Sequence, residues 1–277
     1  IKIVSRFKPK VILFENVEGI LTSIPTGEKI TDLIKKGFSD IGYEIVDDLR
    51  NNALFDLSEF GVPQKRKRVI IIGIRRDNSS IDYQQILKEI YDVIKKNGVE
   101  GTKTVRDVLS DLPPIYPVEN PTRSHSYTND SEINGHKSRF HSERDKKIFT
   151  MLAEDIENGT QKYTSAESLK DLYFEVTGKK SNVHKYFVLR WDEPSNTIPA
   201  HLKKDGLRHI HPDPKQSRSI TVREAARLQT FDDDFKFEES QMSNYEMIGN
   251  AVPPYFAKKI GDLLPTIFDL INKKETE

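Results

Sequence analysis

Apolar residues change texture twice along the chain. Near the start, Val11-Ile12-Leu13-Phe14 is a short continuous apolar run after Lys8-Pro9-Lys10. Such a run reads as a buried strand of a parallel sheet, and it gives way to polar Glu15 and Asn16. In open α/β sheets, ligands sit beyond the carboxyl ends of strands. Ile1 to Lys8 reads as the end of a helix, Glu28 to Phe38 as another helix, Tyr43 to Leu49 as a strand, and Val69 to Ile74 as a strong β-branched strand. These elements predict part of a doubly wound α/β sheet.

From Ile81 the pattern shifts. Ile81 to Lys96 is helical, whereas Leu112 to Gly135 is loop-like, rich in proline, serine and asparagine. His141 to Asn158 is a charged helix with Ile148, Phe149, Leu152 and Ile156 on one face. Val183 to Leu189 is strand-like, and Pro194 to Pro214 holds turns and histidines. Thr221 to Gln229 reads as a helix. Gly249 to Pro254 reads as a loop opening a final helix, Tyr255 to Leu264, since proline is tolerated in a first helical turn. The tail Asn272 to Glu277 is expected to fray.

Charge narrows the picture by what it fails to show. The 43 basic residues balance 43 acidic ones, so any case for a nucleic-acid partner rests on local patches. The 277 residues contain no cysteine, which excludes disulfides, cysteine-ligated zinc and a thiol nucleophile within them; no metal site is expected. No apolar run approaches a membrane span, and no signal peptide is legible, so a cytoplasmic setting without membrane contact is expected.

Four constellations carry candidate chemistry. Glu15 at a strand's exit can act as a general acid, although carboxylates at strand ends are common. Lys65, Arg66, Lys67, Arg68, Arg75 and Arg76 fall within twelve residues that contain no acid. Arg66 and Arg68, two apart and leading into a strand, share a face, and two such forks suit a phosphate and a carbonyl oxygen. A solvated basic turn is the plainer alternative. In Arg218 to Phe231, Ser219 or Thr221 can cap the following helix with Glu224 in its first turns, which also describes a scaffold helix. Gly249-Asn250-Ala251-Val252-Pro253-Pro254 is a polar loop at a helix start.

In their order these motifs resemble the cytosine-5 DNA methyltransferases: Glu15-Asn16-Val17, then Gln64-x-Arg66-x-Arg68, then Arg218-x5-Glu224, then Gly249-Asn250-x-x-x-Pro254. Phe60 to Gly73 and Ser217 to Phe231 are close to the family's usual wording. The resemblance covers nearly the whole chain except about Ile81 to Asn182, where such enzymes carry their variable recognition region. It implies a partial Rossmann-like S-adenosylmethionine-dependent sheet plus a smaller mixed target-recognition domain. Residues 1–80 would be catalytic, 81–215 the recognition region, and 216–277 a recognition-organising helix with a final helix returning to the catalytic domain.

The resemblance further implies that Glu15 contacts N3 and the exocyclic amine of a cytosine flipped out of duplex DNA. Arg68 would hold O2, and Arg66 would frame the nucleophile's vicinity. Asn250 and Val252 match the motif that closes on S-adenosylmethionine. Gln64, Thr197 and Ile198 are expected at the DNA, with Lys203, Lys204, Arg208, Lys215 and nearby histidines meeting phosphates; Arg218 and Glu224 are expected to be structural. A prokaryotic restriction-modification setting follows from the same likeness.

Two parts of the family pattern have no counterpart: the Gly-x-Gly cofactor loop and the Pro-Cys nucleophile. The chain is therefore expected to be catalytically incomplete alone. It would be a fragment, one subunit completed by a second polypeptide, or a DNA-binding pseudoenzyme, with a transfer-RNA cytosine-5 methyltransferase as a further alternative. A sheet lacking its first strands exposes an edge and apolar surface, so association is expected as well.

Overall fold

The computed structural model describes residues 1–25, 27–99, 101–128, 131–182 and 185–276. Two compact units divide the chain: 1–61 with 66–101 and 256–277, and 62–65 with 102–255.

The first unit runs through α1 (Lys2–Phe7), β1 (Val11–Val17), α2 (Ile30–Ser39), β2 (Tyr43–Ile45), α3 (Leu49–Ala53), β3 (Leu54–Asp56), β4 (Lys67–Arg75) and α4 (Tyr83–Lys96). The β-branched run anticipated at Val69–Ile74 is its centre: β1 lies on one side of β4, while β2 and β3 pair along the other. Every one of these pairings is antiparallel, which corrects the parallel reading of Val11–Phe14. A continuous apolar run reports burial on both faces but not strand direction, and here it does not even report burial: Leu13 and Phe14 are exposed at the sheet's edge. The strand also continues past Glu15, which sits opposite Ile70.

Gly73 lets the three strands close up, because a Cβ there would lie 2.6 Å from the Ile12 side chain and 3.3 Å from that of Ile45. Helix α4 buries Tyr83, Ile86, Leu87, Ile90, Tyr91 and Ile94. The Tyr91 hydroxyl donates to Ile70 O at 2.9 Å and accepts from Ile72 N at 3.0 Å, pinning the helix to β4. That attachment is why the first unit extends to residue 101 and not to 80. The tail is also anchored: helix persists to Thr276, and Glu275 accepts from Lys10 and, at 3.1 Å, from the Tyr83 hydroxyl. Glu277 lies outside the described residues.

The second unit holds α5 (Val105–Leu109), α6 (Glu143–Glu157), α7 (Ala166–Thr177), α8 (Val222–Leu228) and α9 (Gln241–Asn250), and it is the larger of the two. It outgrows the expected recognition region because α8 and α9 share a core with α5, Leu189, Ile198, Leu202 and Ile220. A second cluster joins α6 and α7 to Tyr186, Val188 and Ile210. The strand expected over Val183–Leu189 begins with two residues outside the described ones, and the remainder carries a single bridge, Val188 to Ile210. Helix α10 (Pro254–Thr276) starts here and passes into the first unit from Phe256. Among the described residues, no helix is long and apolar enough to cross a membrane.

Candidate functional site

In the first unit, antiparallel pairing sets Val17 opposite Arg68 and Glu15 opposite Ile70. Glu15 and Arg68 are thus diagonal neighbours on one face, within reach of long side chains. Arg68 Nε donates to Glu15 Oε1 at 2.7 Å, with the two side chains 11% and 28% exposed, so the contact is open to solvent on the carboxylate side. Arg68 Nη1 also donates to Lys67 O at 2.8 Å. Arg66, just before β4, is buried. Burial, and then the like charge of Arg68, bring its guanidinium down to about 10 while Glu15 opposes the shift, so it stays protonated at neutral pH. Burial lowers Arg68 as well, against the pull of Glu15. The result is a carboxylate and a guanidinium side by side at a sheet edge, backed by a second cation. Such a pair can meet the edge of a planar ring that offers a basic nitrogen, an amine and a carbonyl oxygen.

In the second unit, Thr197 is exposed, and its hydroxyl donates to Lys65 O at 2.7 Å. Of the residues expected at DNA, Gln64 and Ile198 have fully buried side chains. Ile198 packs in the core around α8, and Gln64 donates to Gln229 Oε1 and Leu228 O. Both serve the frame beneath Thr197. Lys203 is engaged by Glu246 at 2.6 Å and Lys215 is exposed, whereas Lys204 and Arg208 line a cavity of about 310 Å³ with Lys185, His201, Asp205 and His209. Lys185 did not stand out in the sequence, whereas His201 and His209 are among the histidines expected beside Lys204 and Arg208. Lys185 pairs with Asp205 at 3.2 Å, and burial pushes His209 down to about 4 despite its contact with Thr197 O, so it is neutral.

Arg218 and Glu224 form a sealed bidentate pair, Nη1 to Oε2 and Nη2 to Oε1, both at 2.7 Å. Glu224 Oε2 also accepts from Thr221 N at 2.7 Å, and Thr221 Oγ1 from Glu224 N at 3.2 Å, completing the box that starts α8. Burial pushes the Glu224 carboxyl up, but the charge and hydrogen bonds of Arg218 outweigh it and hold the group well below the usual carboxylate range.

Asn250 is not in a loop. It ends α9, a helix whose mixed polar sequence hid its Ser240 cap and its buried Tyr245 and Ile248. Its exposed carboxamide makes no hydrogen bond among the described residues, and Val252 beside it is half-buried. A free amide next to an apolar ledge fits one edge of a nucleoside-bearing cofactor. Among the described residues, no group of three His, Asp or Glu side chains is placed to hold a metal ion.

A mixed α/β chain with an open sheet and these motifs has the Rossmann-like fold of S-adenosylmethionine-dependent methyltransferases. A solved Escherichia coli protein, described as a prophage-encoded DNA modification methyltransferase, matches 97% of this chain and 72% of its own, with a TM-score of 0.60 and 24% identity. The chain belongs to the C-5 cytosine-specific DNA methylase family, which it matches over residues 1–265. It is 35% identical to the type II methyltransferase M.Bpa9945I of Bacillus paralicheniformis over 98% of this chain and 62% of that protein. It is 29% identical to the type II methyltransferase M.Eco47II of Escherichia coli, over 96% and 56% respectively. The chain thus spans little more than half the length of these relatives.

Proposed function

We propose that this chain supplies the base-gripping and DNA-recognition parts of a DNA (cytosine-5-)methyltransferase of a bacterial restriction-modification system. The observation that carries the proposal is the contact between Arg68 and Glu15 at 2.7 Å, backed by buried Arg66, in a chain of the cytosine-5 methylase family.

Cytosine is a poor electrophile at C6 until N3 takes a proton or hydrogen bond and O2 is held by a cation. Glu15 serves N3 and the exocyclic amine, and Arg68 turns one of its donors towards O2, with Arg66 keeping the surroundings positive. Acid assistance of this kind is worth ~10²–10⁴-fold in rate. A preorganised charge at O2 adds roughly 3 kcal/mol, by analogy with other oxyanion donors. A base paired in a duplex cannot reach such a site, so it must leave the stack. Asn250 and Val252 are the residues of this chain that would contact S-adenosylmethionine, which supplies a methyl group on a sulfonium. Thr197, Lys204, Arg208 and Lys185 meet phosphates, which positions DNA without reading sequence.

The thiolate that attacks C6 comes from residues outside these 277, on the same or a separate polypeptide, because they contain no cysteine. We place those completing residues on the exposed apolar edge formed by β1 and by α1, in which no residue is buried.

The test mixes the chain with a polypeptide carrying the family's cysteine and glycine-rich loop. Light scattering and tritiated methyl incorporation into duplex DNA are then followed. A complex and methyl transfer that Glu15→Gln lowers by ~10²-fold or more are expected. Transfer indifferent to Glu15→Gln removes Glu15 from the chemistry, and DNA binding with no transfer favours a non-catalytic DNA-binding role.

A further inference from the structure

Two buried carboxamides, Gln64 and Gln229, have no part in the chemistry above, yet their hydrogen bonds form one directed chain. Ile198 N donates to Gln64 Oε1 at 2.9 Å. Gln64 Nε2 donates to Gln229 Oε1 at 2.6 Å and to Leu228 O at 3.2 Å. Gln229 Nε2 donates to Ala251 O at 2.7 Å and to Ile248 O at 3.0 Å. Both side chains are wholly buried. A carboxamide has two donor hydrogens and one oxygen, so these contacts use every donor of both amides. Flipping either amide would set nitrogen against nitrogen and oxygen against carbonyl oxygen, which fixes both orientations.

The ends of this chain are the informative part. One end is the backbone of Ile198, adjoining exposed Thr197. The other is the carbonyls on either side of Asn250, next to Val252. A second feature presses the same two segments together: a Cβ on Gly249 would lie 2.3 Å from Pro199 C and 2.3 Å from Ala200 N. The end of α9 therefore rests directly on the backbone that follows Ile198, and only glycine permits it.

We infer that Gln229 and Gln64 are positioning residues, a two-amide relay holding the Thr197–Ile198 segment and the Ile248–Val252 segment in one shared arrangement. The inference rests on the proposed function for what those ends meet, DNA at Thr197 and the cofactor at Asn250 and Val252. Neither glutamine touches substrate. Apolar residues of similar volume would fill the space but take from Ile198 N its Gln64 acceptor and from Leu228 O, Ile248 O and Ala251 O their carboxamide donors, and polar groups lined up in a low-dielectric interior reinforce one another. A shift at either end is thus transmitted to the other.

Amide hydrogen exchange tests the relay without any need for methyl transfer. Each substitution is read at the far end: Gln229→Met at the Ile198 amide, which Gln229 does not contact, and Gln64→Met at the Ala251 amide. Each far amide should exchange roughly tenfold faster, while α6 amides such as those of Phe149 and Leu152 keep their protection. Should Gln229→Met fold poorly, Gln64→Met read at the Ala251 amide tests the same link from the other side, and a wild-type rate there overturns the relay. In the completed methyltransferase, Gln229→Met should raise KM for S-adenosylmethionine and for duplex DNA more than it lowers kcat. Far-end amides that keep their wild-type rates overturn the relay, even if the proposed function stands. Absence of methyl transfer with the far-end effects present overturns the function and spares the relay.

Discussion

Two carboxylate–guanidinium pairs, each closed at 2.7 Å, lie in different units of this chain and differ in everything except that distance. Arg218 and Glu224 are each 1% exposed, bonded through both carboxylate oxygens, and joined by Thr221 and Gln216. Arg68 and Glu15 share one contact at a sheet edge, with the carboxylate partly in water. A saturated pair has nothing left to offer a ligand, so it can only organise the protein around it. The open pair keeps lone pairs and N–H groups that a bound base can claim. Family motifs mark all four residues alike; accessibility separates the sealed pair from the pair that can meet a ligand.

That contrast breaks most readily through stability. Arg218→Met strands a buried carboxylate and should cost on the order of 3–5 kcal/mol in urea unfolding. Glu15→Gln should cost about 1 kcal/mol or less, as exposed ion pairs do. Similar losses for the two variants would erase the distinction.

A smaller effect comes from three buried histidines of the second unit. Burial, with Arg218 adding to it, pushes His211 down to about 3; burial with Arg139 takes His141 to about 3, and burial takes His209 to about 4. Their ordinary value is near 6.5, so below that pH the unfolded chain binds protons that the folded one refuses. Stability should therefore fall as pH drops from 7 to 5, by on the order of 1–2 kcal/mol per histidine, in unfolding measured across that range. Glu224, held low, acts in the same direction but only as pH falls through and below the usual carboxylate range. Flat stability from pH 7 to 5 would show that these rings are not sealed.

Much of this is legible in the sequence alone. Apolar periodicity located α4 and α6 to within a few residues, because each buries one stripe. The resemblance put Glu15 and Arg68 at one base, but the antiparallel register that pairs them was not legible, since strand direction depends on connections that periodicity does not encode. Helix α9 was missed because its buried face is only Asn244, Tyr245, Ile248 and Gly249 amid polar neighbours. The burial of Gln64 was not legible either, because its partner Gln229 lies more than a hundred and sixty positions away.

The most direct measurement is a double-mutant cycle on methyl transfer by the completed enzyme at saturating DNA, using Glu15→Gln and Arg68→Gln. If the two grip one base together, each single change should cost ~10²-fold or more, and the double change should cost little beyond the worse single one. Costs that multiply independently, or either variant retaining full rate, would contradict it.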